Sequence, residues 1–162
     1  MAIAIIVDGL VTVKITPYGG AKSSLGYTRN GVDITFEGFF LDIMGDENGG
    51  DDGPPIDVQY LGEVARVRCE LTKWDTALAL NVMERHYQSA AGVPVLSPGQ
   101  TLINQDNGYL ALELTSASRT YTFPKVFPRN AIELNKGTKF STFTCEFEAH
   151  RFGATGTLYS IA

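Results

Sequence analysis

Residues 45–55, G-D-E-N-G-G-D-D-G-P-P, constrain this chain more than any other stretch, because they separate two segments that both read as long strands. Ahead lies V-D-I-T-F-E-G-F-F-L-D-I (32–43) and behind lies I-D-V-Q-Y-L-G-E-V-A-R-V-R-C-E-L (56–71). A tract of four carboxylates, four glycines and two prolines with no apolar side chain has nothing to bury. It is expected outside the core and mobile until something orders it, either as a projecting arm or as a plain solvated loop.

The 162 residues suffice for one domain with a sizeable core, and no linker divides them, so a single domain over 1–162 is expected. Seventeen glycines and many Val, Thr and Tyr residues point to β structure with frequent turns. A formal charge of −5 argues against a surface that grips nucleic acid, since phosphate affinity comes from lysine and arginine displacing counterions. The opening A-I-A-I-I-V is apolar but short and lacks a basic leader, and no apolar run reaches the roughly 18–20 residues of a membrane span. A soluble, cytoplasmically made product without membrane binding is therefore expected.

Period-two patterns place the strands. Val11, Val13 and Ile15 alternate against Leu10, Thr12 and Lys14, and Ala65, Val67, Cys69 and Leu71 against Val64, Arg66, Arg68 and Glu70. Phe143, Cys145, Phe147 and Ala149 likewise alternate against Thr144, Glu146, Glu148 and His150. Residues 16–31 read as turn chemistry ending in Asn30-Gly31, and Gly38 as a bulge or bend. One helix is expected over 76–88, opened by Asp75 as N-cap, with Leu78, Val82 and Tyr87 on one stripe. Residues 92–108 read as loop with a short strand, 109–114, 120–126 and 139–152 as strands, and the final G-T-L-Y-S-I as an edge strand. Seven to nine strands and one helix imply a mainly β fold, a β-sandwich or partly closed β-barrel with one flanking α-helix.

No catalytic set emerges. His86 and His150 adjoin no nucleophile motif, and Cys69 and Cys145 fall on apolar faces where buried free thiols are expected. The acidic tract lacks the spacing and closing glutamate of a calcium loop, and no cofactor or metal is expected. Glu146 and Glu148 sit two apart on one strand face and are read as solvated charge rather than a hydrolase pair.

Around the tract the chain resembles the tail tube proteins of long-tailed bacteriophages, and more distantly the tube protein of type VI secretion. The resemblance is carried by G-P-P-I-D-V-Q-Y, by G-E-V-A-R-V-R-C-E-L-T-K-W-D leading into the helix, and by T-Y-T-F-P-K-V-F-P and F-S-T-F-T-C-E-F-E-A-H-R-F. It covers residues 9–158 and implies a non-enzymatic virion protein, assembled in the host cytoplasm. In that family six subunits join their sheets into a ring, and rings stack into a tube that conducts viral DNA without binding it specifically. Implied partners are the chain itself, the tape measure, baseplate or tail-tip and terminator proteins, and a sheath if the tail contracts.

By position the tract corresponds to the family's long inter-subunit or inter-ring loop, with Asp46, Glu47, Asn48, Asp51, Asp52, Pro54 and Pro55 as candidate contacts. Asp33, Glu37, Glu63, Glu70, Glu146 and Glu148 are candidates for a negatively charged lumen that repels phosphate. Two alternatives stay open: a type VI secretion-like tube subunit, and a carbohydrate-binding β-sandwich using Tyr18, Tyr27 and Tyr109.

Overall fold

Among the described residues, alternating apolar side chains organise one antiparallel sheet of eight strands with one helix. A computed structural model describes residues 9–83, 98–99, 101, 109–137, 140–151 and 156–162. The strands are β1 (Thr12–Pro17), β2 (Ser23–Ile43), β3 (Asp57–Trp74), β4 (Leu110–Thr115), β5 (Thr120–Pro128), β6 (Glu133–Lys136), β7 (Ser141–Ala149) and β8 (Ser160–Ile161). Helix α1 (Thr76–Met83) follows β3. The expected helix beyond residue 83, Tyr87 and His86 included, and most of 92–108 lie outside the described residues.

Strand order is β6-β7-β3-β2-β1-β4-β5-β8, and a further pairing of β5 with β7 closes a circuit of six strands. That pairing joins Val126 to Ala149, Phe127 to Glu148 and Pro128 to Phe147. β6 runs on along the same edge of β7, from Glu133 opposite Thr144 to Lys136 opposite Ser141. Four residues, 129–132, thus face only Cys145 and Glu146, and the excess bends the chain outward there.

The inward parity holds throughout the body. Val13, Ile15, Val67, Leu71, Leu112, Phe123, Phe143 and Phe147 are all buried in one core. Cys69 and Cys145 stand directly opposite each other in the β3–β7 register, buried and free, and a hydrogen bond with Cys145 together with burial pushes the Cys69 thiol well above its usual range. Asp75 caps α1 as its sequence suggests: its Oδ1 accepts from the Leu78 N–H at 2.9 Å. Ala79 and Val82 are the buried helix residues, while Leu78 is only half-buried.

Three local expectations change. Residues from Ser23 onward are strand, not turn. Asn30-Gly31 is instead part of a bulge, where residues 29–31 face Glu70 alone, and Gly31 takes φ +85° to make it. Gly38 keeps regular register with Glu63, and its missing side chain leaves room for the Phe40 ring, whose Cε2 would lie 2.9 Å from a Cβ there. The interruption of the hairpin falls at Leu61, extra between the pairs Phe39–Gly62 and Phe40–Tyr60, with Gly62 at φ +131°. Pro124 lies within β5. It sits in the strand where the β4–β5 register shifts, a place where a missing N–H breaks no regular ladder.

Candidate assembly surface

β2 and β3 outrun their neighbours. β2 pairs with β1 only from Ser23 to Tyr27, and β3 pairs with β7 only from Ala65 to Leu71. Beyond that, residues 38–43 and 57–63 pair with each other alone, a two-stranded ribbon about 20 Å long at the usual rise per residue. Both of its outer edges lack a strand partner among the described residues.

The ribbon is apolar. Phe39, Phe40, Leu41, Ile43, Ile56, Val58, Tyr60 and Leu61 are each between 38% and 62% exposed. Phe40 and Tyr60 face each other with ring centroids 5.5 Å apart, the one aromatic pair on the ribbon among the described residues. A two-stranded hairpin is marginal in water, and exposed apolar side chains beside open strand edges mark an interaction site. Sequence reading missed this because alternation continues past the body, and nothing in the pattern records where neighbouring strands stop.

At the tip the acidic tract folds into two 3-10 turns, Asp46–Asn48 and Gly50–Asp52, rather than an unstructured loop. Gly49 (φ +97°) and Gly50 (φ +60°) supply the left-handed backbone the turns need. The Ile56 N–H donates to the Ile43 carbonyl at 2.9 Å and closes the base. Asp46, Glu47, Asp51, Asp52, Pro54 and Pro55 are thereby brought together, exposed, at the end of the ribbon.

The candidate lumen carboxylates divide. Asp33, Glu37, Glu70, Glu146 and Glu148 share the outward face of β2, β3 and β7, where register alternates them with arginine: Asp33–Arg68–Glu146 in one row and Arg66–Glu148 in another. Glu63 has the parity of buried Ala65, so it stands on the opposite side, 3.7 Å from Arg151. The outward face is thus a ladder of both signs, not a uniform row of carboxylates.

Glu148 corrects the expectation of a solvated face, for it is only 3% exposed. Arg129 Nη1 donates to it at 2.6 Å, His150 Nε2 lies 2.8 Å away and Arg66 Nε 3.6 Å away. Arg66 also reaches Glu37 at 3.1 Å, and the His150 ring stacks on Phe127 with centroids 5.2 Å apart. Burial pushes the Glu148 pKa up, but the hydrogen bonds from Arg129 and His150 and their positive charge outweigh it and hold the carboxyl below its ordinary value. Asn130 likewise donates to Glu146. Arg129 and Asn130 both come from the extra residues between β5 and β6, so the bulge arms the seam that closes the circuit.

A second acid, Glu113 on β4, is held between Lys22 and Lys14; the Lys22 hydrogen bond chiefly lowers its pKa. Of the tyrosines considered for sugar stacking, Tyr18 and Tyr27 are exposed, but Tyr109 is buried and its ring lies 4.8 Å from the Lys125 ammonium. The three do not form one exposed platform. No protein-family model and no curated protein matches the chain.

Proposed function

We propose that the chain is a self-assembling tube subunit of the bacteriophage tail tube kind, structural rather than enzymatic. The observation that carries the reading is the β2–β3 ribbon: eight exposed apolar side chains on a hairpin with two open edges, which only a protein partner covers at low cost. The β5–β7 pairing supports a partly closed barrel as the body of each subunit. In this reading six subunits form a ring, rings stack, and double-stranded DNA passes through the lumen to the host during ejection. Tape measure, tail-tip or baseplate and terminator proteins, and a sheath in a contractile tail, are the further partners. The ladder of Asp33, Glu37, Glu70 and Glu146 interleaved with arginine is the candidate lumen face, with Glu148 neutralised beneath it.

Size-exclusion chromatography with light scattering, followed by negative-stain microscopy, tests the reading. Six-subunit rings or hollow tubes are expected as concentration rises. A monomer at every concentration and salt sinks it.

A further inference from the structure

Two thiols meet in the core. Cys69 of β3 and Cys145 of β7 are directly opposite in the antiparallel ladder, so both side chains leave the sheet on one face, and both are fully buried. The inward pairs on either side of them, Val67–Phe147 and Leu71–Phe143, are large and apolar. Both cysteines are free, and they share a hydrogen bond that, together with burial, pushes the Cys69 thiol well above its usual range. A thiol held protonated and away from solvent reacts slowly, so the folded chain shields the pair from chance oxidation.

The ladder at this level has nearly the dimensions of a cross-link. Directly opposite residues of an antiparallel pair have Cα atoms about 4.5–5.5 Å apart, inside the roughly 4.4–6.8 Å that a disulfide spans. Their Cβ atoms, at about 4.5–5.5 Å, need to close by about an ångström. Both neighbouring strands leave room for that movement. Across β3, Cys69 pairs with Val32, the residue that follows the 29–31 bulge in β2. Beyond β7, Cys145 has no strand partner among the described residues, because β5 ends with Pro128 opposite Phe147 and β6 begins with Glu133 opposite Thr144. Two interruptions thus flank the pair, and a bulged strand tolerates the extra twist that drawing two strands together demands.

We propose that Cys69 and Cys145 are a latent disulfide site that fastens β3 to β7 under oxidising conditions, with a low-molecular-weight disulfide such as oxidised glutathione as the oxidant. One cysteine thiolate attacks that disulfide, forming a mixed disulfide and expelling one glutathione thiolate. The other cysteine thiolate then attacks the protein-bound sulfur, forming the Sγ–Sγ bond and expelling the second glutathione. The two protons lost by the cysteines go to the departing thiolates, and two electrons pass from the pair to the oxidant. The bond closes the long loop from 69 to 145, which contains α1, β4, β5 and β6, and so restricts the unfolded chain far more than the folded one. It needs no second copy and stands apart from the tube reading.

Refolding in a glutathione redox buffer tests it. The reduced chain is unfolded in urea and diluted into oxidised and reduced glutathione, and its mass is taken after alkylation in denaturant. A monomer lighter than the reduced chain by two hydrogens, with no alkyl group added, is expected as the main product. Its urea midpoint is expected to lie at least about 1 M above that of the reduced chain and to return on adding dithiothreitol. Cys145→Ala, or Cys145→Val should the first fail to melt cooperatively, is expected to show no rise in the same buffer. Free thiols, glutathione adducts or disulfide-linked dimers as the main product overturn the proposal, and so does a cross-linked monomer whose midpoint is no higher than the reduced chain's. A midpoint that rises equally in the variant also overturns it.

Discussion

At the scale of single residues, Glu148 shows how burial changes what a charge does. Its neighbour on the same face, Glu146, is half-exposed, and replacing it is expected to cost within about half a kcal/mol. Glu148 differs because Arg129, Arg66 and His150 converge on it where β5 meets β7. Glu148→Gln removes the charge and keeps the shape, and about 1–3 kcal/mol of stability is expected to be lost in urea denaturation at pH 7. The pH dependence follows from its lowered pKa. Its contribution is complete above the ordinary carboxylate value of 4.5 and is lost as pH falls through the lower, folded-state value. Glu113 adds to the same limb. The parent should therefore lose stability steadily as pH drops below that value, and Glu148→Gln should show a shallower acid limb; identical slopes would mean the cluster does not stabilise the fold.

Among the elements, the β2–β3 hairpin decides most. Its inner half is body, pairing with β1 and β7, and its outer half is ribbon. Among the described residues the core draws on none of 46–53, so replacing them with a two-residue Asn-Gly turn changes closure entropy only modestly. The deletion variant is expected to melt cooperatively within a few degrees of the parent yet form no long assemblies by light scattering. Long assemblies from that variant would return the tip to the status of an inert loop. The two Gly-assisted bulges, at residues 29–31 and at Leu61, were invisible as such in the sequence. Glycine marks permission for an unusual backbone, and only the partner strand determines whether the permission is used for a turn, a bulge or room for a neighbouring ring.

Across the whole molecule, the closed circuit of six strands ties every strand of the body to one core. Phe147 lies fully buried on β7 between Val67 of β3 and Pro128 of β5, where the circuit closes. Phe147→Ala is expected to cost about 3–5 kcal/mol, because the cavity collapses only partly in a closely packed interior. The loss should appear as one cooperative transition at lower urea with unchanged slope; a second transition would show that the β5–β7 seam opens independently.

The sequence by itself determined the β class, the helix start at Asp75, and the inward parity of β1, β3 and β7, since period-two alternation and capping are local properties that need no partner. It also placed the acidic tract outside the core, because carboxylates and glycines have nothing to bury. Tertiary structure alone decided which outward carboxylates are solvated. Glu63, Glu146 and Glu148 look alike in sequence, yet one shares a side with the core, one is half-exposed and one is sequestered by Arg129 and His150. Strand parity says which side chains leave the core; what they meet depends on strands far away in sequence. The same holds for the apolar ribbon, whose exposure follows from where β1 and β7 end and not from any residue within it.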